Sequence, residues 1–360
     1  MTPLQHHLYR YSFWLAPLVA WPFVYGVMRA LDDPADAWWT WWAVIVIQGI
    51  VPLLDAPLGR AVTRFSRDEQ FTLSRDRMLR VVPWVCGVVW LVTLVWAISV
   101  VPRIMQLPAV HVVGFVLSLG IVGGIMAINV GHELIHRNNK AERFFGGVLL
   151  ASVVYGVFKV EHVRGHHLLV GTAADPATAQ LNETAYAFVP RAIFGTYRHA
   201  WQLEADRLSR SGATGLAVLL RNEAAQWTML TIVFATAAFL WAGWVELAVF
   251  LLAGLIAIIE LELVDYIEHY GLSRTTDASG ALMSVRCEHS WDYSGWVTNA
   301  ILINLQRHSD HHAHGGRAFG ALNSHLEAPQ LPTNYATMIK IALIPPLFRR
   351  IIHPRLPQVV

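Results

Sequence analysis

Histidine is the residue whose spacing points most clearly to chemistry in this chain, which has 17 histidines among 360 residues. Nine of them fall in four short motifs: His132, His136, His162, His166, His167, His269, His308, His311 and His312. Residues three or four apart on a helix share a face, so a motif with several histidines can direct imidazoles toward one point. Neutral imidazole suits iron, zinc, copper or nickel better than magnesium or calcium. Because nine ligands exceed the roughly four to six that one ion takes, the set predicts two metal ions.

A single zinc ion is the competing interpretation of one motif. His132-Glu133-Leu134-Ile135-His136 has the form H-E-x-x-H, in which metalloproteases bind zinc and use the glutamate as general base. A protease needs only one further ligand, which leaves the histidines of the other motifs without a role. The two cysteines, Cys86 and Cys287, are too few and too far apart for a thiolate site or a disulfide framework. Two metals therefore account for more of the sequence.

Five carboxylates lie in or near the histidine motifs and are the candidate catalytic residues besides the metal ligands. A metal-bound histidine usually donates its second ring N–H to an acceptor that fixes the tautomer and the ring orientation. Carboxylates at these positions can accept such bonds, and solvation at the surface is the alternative for each. The five are Glu133, Glu161, Asp175, Glu268 and Asp310.

The elements that position these residues are hydrophobic helices. Hydrophobic residues make up 55% of the chain and charged residues only 14%, a composition typical of a membrane protein. A helix needs about 20 apolar residues to cross a bilayer. Six windows meet this requirement and predict an all-α integral membrane protein with six transmembrane helices, near residues 11–29, 38–55, 82–101, 109–130, 226–243 and 245–265.

Charges between the windows indicate the orientation, because short cytoplasmic loops carry an excess of lysine and arginine. The loop between the second and third windows is rich in arginine, whereas the loop between the first and second is acidic. Both termini are therefore expected in the cytoplasm. The segments 131–225 and 266–360 then form a histidine-rich cap on that side, within a single membrane-embedded catalytic domain, 1–360. A net charge of +2 and the lack of any recognisable motif give no case for nucleic-acid binding.

Beyond the histidines themselves, the longer strings around them resemble the alkane 1-monooxygenase family of the membrane desaturase and hydroxylase superfamily. These strings are His132-Glu133-Leu134-Ile135-His136-Arg137, Glu161-His162-Val163-Arg164-Gly165-His166-His167, Tyr266-Ile267-Glu268-His269-Tyr270-Gly271-Leu272 and Leu305-Gln306-Arg307-His308-Ser309-Asp310-His311-His312-Ala313. The resemblance extends over roughly residues 10 to 355. The third and fourth strings separate this family from the acyl-chain desaturases.

The resemblance implies two non-haem irons, held by the nine histidines, that use O2 to hydroxylate the terminal methyl of an alkane. It also implies a location in the bacterial inner membrane, with the site on the cytoplasmic side and a hydrophobic substrate that arrives from the bilayer. The chain has neither a dinucleotide fingerprint nor a rubredoxin-type pair of C-x2-C motifs. Electrons must therefore come from a separate partner, which the resemblance implies to be rubredoxin with its reductase. The basic tail is an expected docking surface, with Lys340, Arg349, Arg350 and Arg355.

One position departs from the family pattern. Asp265 precedes Tyr266 where the family usually has asparagine, so an extra carboxylate lies close to His269. This change leaves the preferred substrate open. A xylene or terpene methyl hydroxylase and a fatty acyl desaturase or hydroxylase are the alternative functions.

Overall fold

The computed structural model describes residues 3–357, and in that part of the chain the regular structure is entirely helical. Six helices are long and apolar enough to cross a membrane: Leu4–Asp32, Pro34–Leu58, Arg77–Ile104, Ala109–Ile135, Glu223–Ala242 and Trp244–His269. We call them the first to the sixth span. The predicted all-α fold with six membrane helices is confirmed, and most of the helices extend several residues beyond the predicted windows.

Further helices lie between and after the spans, and all but Ala185–Arg210 are shorter than the spans. They are Arg67–Ser74, Lys140–Ala151, Ala185–Arg210, Leu216–Arg221, Trp296–Ile301, His308–Ala313, Tyr335–Ala342 and Pro345–Ile352. A further helical stretch, 158–169, contains a π-helical turn at His162–His166, and we call it the kinked helix. We call Tyr335–Ala342 the tail helix.

Close helix packing brings the two histidine-bearing spans together. Gly120 of the fourth span faces Ile256 of the sixth, and a Cβ added at Gly120 would lie 2.5 Å from the Ile256 side chain. Glycine thus permits an approach that alanine would prevent. The fourth span then continues to His132, and the sixth ends at His269.

Asp55, near the end of the second span, fixes the segment that precedes the last histidine motif. Its buried carboxylate accepts hydrogen bonds from the backbone N–H groups of Val297 (2.8 Å) and Thr298 (3.1 Å), and from the Thr298 hydroxyl. These N–H groups belong to the first turn of the helix Trp296–Ile301, where a negative charge is favourable. The second span therefore helps to position His308 and the residues around it.

Candidate metal centre

Five of the nine predicted histidines form one group, in which the ring nitrogens that could bind a metal all lie within 4.8 Å of one another. We call this the first histidine group, and it contains His132, His136, His162, His167 and His311. The Nε2 atom of His167 lies 3.1 Å from the Nε2 atoms of both His162 and His311. Three separate segments of the chain thus direct imidazoles toward one point.

The other four predicted histidines form the second histidine group: His166, His269, His308 and His312. The Nε2 atoms of His166 and His312 are 3.2 Å apart, and those of His269 and His308 are also 3.2 Å apart. The two groups adjoin, because the rings of His167 and His312 stack with centroids 4.4 Å apart. The structure therefore brings together all nine histidines that the sequence analysis identified, as two neighbouring groups.

Adjacent histidines belong to different groups. His166 and His312 belong to the second group, whereas His167 and His311 belong to the first. Successive residues on a helix point in directions about 100° apart, so a His-His pair can supply one imidazole to each of two neighbouring sites. The two His-His pairs in the sequence therefore each supply one imidazole to each histidine group.

The geometry of the kinked helix decides which of its histidines belong to the same group. Four-residue spacing predicts that His162 shares a site with His166, but the structure pairs His162 with His167, five residues away. The π-helical turn at His162–His166 explains the difference, because i to i+5 geometry aligns residues five apart. Such turns occur often at functional sites and have no simple sequence signature.

Two hydrogen bonds fix ring orientation in the second group. The Nδ1–H of His166 donates to Asp175, at 2.9 Å, and the Nδ1–H of His269 donates to the backbone carbonyl of His289, at 3.3 Å. Asp175 is itself held by the hydroxyl of Thr178, at 2.6 Å. Both histidines then present an Nε2 lone pair to the centre of the group. The Asp175 geometry is the one expected of an orienting carboxylate.

The arrangement of the ring nitrogens in the two histidine groups fits metal binding better than hydrogen bonding between the rings. His166 and His269 each use Nδ1 as donor, so their Nε2 lone pairs face other nitrogens at 3.2 Å. In the first group, the buried Nε2 atoms of His132 and His136 have no hydrogen-bond partner among the described residues. Buried polar atoms are normally paired, and a cation between the lone pairs would satisfy them. Nitrogen donors without thiolates suit iron, zinc, copper or nickel.

The ionisation of the rings agrees with this fit. The pKa values of His162, His167 and His312 lie well below the usual value for histidine. Burial is the largest cause, and the neighbouring imidazoles are the second. These rings are therefore neutral at pH 7, with a lone pair free to bind a metal.

Glu268 lies beside the second histidine group. Its Oε2 atom lies 3.1 Å from the Nε2 atom of His308, and Asp265, Glu268 and His269 have ligand atoms within 4.8 Å of one another. Glu268 is not a member of the four-histidine group, in which all ligand nitrogens lie within 4.8 Å of one another. The sequence predicts that Glu268 accepts a ring N–H group, and His308 is the imidazole of the second group that it contacts.

Glu133 and Glu161 contact other groups. Glu133 pairs with Arg137 at 2.5 Å and accepts a hydrogen bond from the Phe319 backbone N–H at 3.1 Å. Glu161 accepts a hydrogen bond at 2.9 Å from His199, a histidine outside both groups. These two carboxylates hold surrounding segments and do not bind the imidazoles of the nine histidines in the hydrogen bonds that the structure describes.

Asp310 is the centre of a polar cluster beside the last histidine motif. It accepts hydrogen bonds from His314 (3.0 Å), His325 (3.0 Å), Arg317 (2.5 and 2.6 Å) and the Asn323 backbone N–H (2.8 Å). Burial raises its pKa, but the bonds from His325, Asn323 and Arg317 outweigh that effect and lower the pKa to about 2. The hydrogen bond to Asp310 in turn is the largest cause that raises the pKa of His325 to about 11. Asp310 therefore fixes the loop around His311 and His312 as an ionised carboxylate.

An apolar cavity lies near the first histidine group. It lies between the second, fourth and sixth spans and the tail helix, and apolar side chains such as Ile47, Ile121 and Leu261 form most of its wall. A smaller inner cavity shares Asn129 and Leu305 with it and is lined by His132 and His311. Tyr335 also lines the apolar cavity and neighbours Glu268, beside the second group. This cavity could not be predicted from the sequence, because its wall combines residues from distant parts of the chain.

Three findings from comparison with known proteins bear on this architecture. The model of the fatty acid desaturase family matches residues 107–342. Alkane 1-monooxygenase 2 of Alcanivorax borkumensis is 40% identical, covering 96% of this chain and 89% of that protein, and alkane 1-monooxygenase 2 of Pseudomonas aeruginosa is 37% identical, covering 96% and 91%. The xylene/toluene monooxygenase hydroxylase component XylM of Pseudomonas putida is 30% identical, covering 68% and 65%.

Six apolar helices and two converging histidine groups that could hold metal ions define a multi-pass membrane protein with a candidate metal site. The chain belongs to the fatty acid desaturase family and, within it, to the alkane 1-monooxygenases. The resemblance noted in the sequence motifs is confirmed, and so is the expectation of an oxidoreductase of the monooxygenase class.

Proposed function

We propose that this enzyme hydroxylates the terminal methyl of alkanes to primary alcohols, with two irons, O2 and electrons from rubredoxin. The observation that carries the proposal is the proximity of an apolar cavity to the first of two neighbouring histidine groups, with Asn129 and Leu305 shared by its wall and that of the inner cavity lined by His132 and His311. An alkane has no polar group to bind, so an apolar cavity must hold it by shape alone. The names of the relatives support the same substrate class.

The first histidine group would hold one iron and the second the other. Bound ferrous iron supplies the reduction of dioxygen, by which one oxygen atom enters the alcohol and the other leaves as water. The chain's own residues provide geometry and dryness. Asp175 and the His289 carbonyl hold two imidazoles in the required tautomer. The apolar cavity excludes water from the methyl group.

The proposal also includes the location of the enzyme in the cell. The arginine-rich loop between the second and third spans supports a cytoplasmic position for the histidine-bearing ends of the spans, in the bacterial inner membrane. The segments 131–225 and 266–360 would then form the catalytic cap of a single domain. The substrate would enter from the bilayer, and rubredoxin, reduced by its reductase, would bind from the cytoplasm.

The test is purification in detergent, metal analysis, and turnover of octane with rubredoxin, rubredoxin reductase and NADH. We expect about two irons per chain and 1-octanol as the product. One zinc per chain, or no oxidation of octane, would overturn the proposal. A desaturated acyl chain as the product from an acyl substrate would indicate a desaturase instead.

An aromatic methyl group is the second candidate substrate. The similarity to the XylM hydroxylase component supports it. The same assay with a xylene in place of octane distinguishes the two, because the ratio of kcat/KM for octane and xylene measures the preference directly. A ratio above one supports the alkane assignment.

A further inference from the structure

One side of the helix Ala185–Arg210 exposes large apolar side chains, although this helix is not one of the six spans. Phe194 is 76% exposed and Trp201 is 40% exposed. Successive residues of a helix are about 100° apart around its axis, so these two side chains lie about 20° from each other, with the exposed Pro190 beside them. We call Pro190, Phe194 and Trp201 the apolar strip. Exposed apolar side chains that are grouped in this way mark an interaction site.

A polar strip runs along the same helix beside the apolar strip. It consists of Arg198, Gln202 and Asp206, which are also exposed. These residues lie about 40° to 120° from Phe194 around the axis, on the side away from Trp201. The exposed surface of the helix therefore changes from apolar to polar around its circumference. A helix that lies in the plane of a membrane surface has this division, with one side among the acyl chains and the other among the headgroups.

The contacts of the helix place its middle at the level of the membrane. The hydroxyl of Tyr197 donates to the backbone carbonyl of Val154. Val154 in turn packs on the sixth span, where a Cβ added at Gly254 would lie 2.7 Å from the Val154 side chain. Gly254 is near the middle of that span, about 22 Å along the axis from its end at His269. A single tyrosine side chain therefore connects the middle of the helix to a segment inside the membrane.

The start of the fifth span gives the same level for the end of the helix. Glu204 accepts a hydrogen bond from the backbone N–H of Glu223, the first residue of that span, at 2.6 Å. The short helix Leu216–Arg221 leads directly into the span, and three of its leucines are more than half exposed: Leu216, Leu219 and Leu220. Leucines exposed immediately before a membrane span are satisfied by lipid.

We infer that the helix Ala185–Arg210 lies in the surface of the bilayer leaflet nearest the histidine groups, with its apolar strip inserted among the lipid acyl chains. The occupant of this face is a phospholipid leaflet, because the helix packs on the fifth and sixth spans, whose outer sides face lipid. Arg198 lies at the edge of the apolar strip, where its guanidinium can reach headgroup phosphates. The inference goes beyond the proposed function and depends on neither the substrate nor the electron donor.

The contact would also support the metal centre. His199, on the same helix, donates to Glu161 at 2.9 Å, and Glu204 pairs with Arg164 of the kinked helix. The helix that lies on the leaflet is thus attached to the segment that carries His162, His166 and His167.

The experiment measures where single positions of the full-length protein lie in lipid nanodiscs. A background variant without Cys86 and Cys287 receives one cysteine at a time, as F194C, W201C or Q202C, and each cysteine is labelled with nitrobenzoxadiazole, an environment-sensitive fluorophore. Two quenchers are compared: a phospholipid with a nitroxide near the headgroup end of its acyl chain, and iodide in the buffer.

Two further positions calibrate the quenchers. V233C lies on the exposed side of the fifth span and reports the membrane interior, and S279C lies in an exposed loop and reports water. We expect the nitroxide lipid to quench F194C and W201C about threefold or more as strongly as it quenches Q202C, with iodide showing the reverse order. Iodide quenching of F194C and W201C as strong as that of S279C would overturn the inference. Protection of both positions from both quenchers would also overturn it, because a protein partner or a second copy would then cover the strip.

A charge substitution tests the same inference without a label. F194E should lower the midpoint of thermal unfolding in nanodiscs by about 2–5 °C, because a carboxylate is unfavourable among acyl chains. The matched control is Q202E, eight residues along the same helix on the polar strip, which should leave the midpoint unchanged. Equal midpoints for the two variants would contradict insertion of the apolar strip, and this measurement remains available if the cysteine variants do not fold.

Discussion

At the scale of single residues, the His-His pairs explain how one compact cluster can hold two ions. His166 and His167 separate into different histidine groups, as do His311 and His312. Each pair therefore connects the two groups through one peptide unit. The division predicts which substitutions affect the same ion and which affect different ions.

Substitution of histidines within and between groups should have different effects on metal content. H167A and H311A each weaken the first histidine group, so the double variant should keep about one iron per chain, as each single variant does. H167A with H312A should lose nearly all iron. Metal analysis of the purified variants measures this, with H7A as a control outside both groups. Equal metal loss in the two double variants would contradict the division.

Removal of the carboxylate charge that orients His166 should weaken the binding of one of the two metals selectively. Asp175 accepts the Nδ1–H of His166, and asparagine can instead donate, which favours the wrong tautomer. We expect D175N to lower the affinity for one of the two metals about 10–100-fold. Competition with a chelator measures the affinity. D277N, at an exposed aspartate, should behave as wild type.

The sequence predicted which histidines converge, but not every contact around them. Type and spacing identified all nine residues of the two groups. The pairing of His162 with His167 could not be predicted, since it depends on a π-helical turn. The acceptor for His269 could not be predicted either, because it is a backbone carbonyl and carries no residue signature.

At the scale of elements, an ion-pair cluster attaches the kinked helix to its neighbours. Glu204, on the helix Ala185–Arg210, is fully buried and pairs with Arg164 of the kinked helix and with Arg207. It also accepts a hydrogen bond from the Glu223 backbone N–H, at the start of the fifth span, at 2.6 Å. Arg164 lies between His162 and His166, so this cluster helps to fix the histidines.

Loss of the Glu204 charge should destabilise this attachment in a pH-dependent way. Burial raises the pKa of Glu204, but hydrogen bonds from Arg207 and the Glu223 N–H outweigh it, and the net pKa lies below the usual value. The stabilisation is therefore present above the unfolded pKa of about 4.3 and is lost as the pH falls through the folded pKa.

We expect E204Q to lower the free energy of unfolding by about 1–3 kcal/mol at pH 7. Thermal unfolding in detergent measures the difference, which should shrink as the pH falls below about 4. The exposed substitution E288Q is the control. A difference that stays constant with pH would show that the charge of Glu204 is not its source.

The number and approximate positions of the spans were predictable from hydropathy, whereas their exact ends and the apolar cavity were not. Continuous apolar windows identified all six spans, because a bilayer imposes a length on each helix. The wall of the apolar cavity combines Ile47, Ile121, Leu261 and Tyr335, from four elements. Which side chains meet across helices depends on rotation and packing that a single sequence does not reveal.

At the scale of the whole molecule, a basic depression lies beside the most accessible part of the first histidine group. Its lining includes His136, Arg137, Arg143, Lys159 and Arg164. His136 and His167 are the two members of the nine that are not fully buried. Glu223 also lines the depression and pairs with Lys159 and Arg164, which leaves Arg143 as an available cation. Under the proposed function we expect an acidic electron carrier to bind here, and this surface differs from the basic tail.

Charge reversal distinguishes the two docking surfaces. Arg143 lies in the depression, and Arg349 lies on the tail, where it donates to the Asn182 carbonyl. We expect R143E to raise the KM for rubredoxin about tenfold at low ionic strength, with a smaller effect at high salt. R349E should change it little. The opposite result would support the tail, and unchanged kinetics in both variants would exclude both surfaces.

The walls of the apolar cavity have a consequence for how the enzyme meets its substrate. Three membrane spans form much of its wall, with the tail helix and the segment 298–306 as the rest. We therefore expect its contents to exchange with the hydrocarbon interior of the bilayer and not directly with the aqueous phase. Saturation should accordingly follow the mole fraction of substrate dissolved in lipid. Dilution with extra vesicles at constant total substrate should slow turnover, even though the molar concentration in the tube is unchanged.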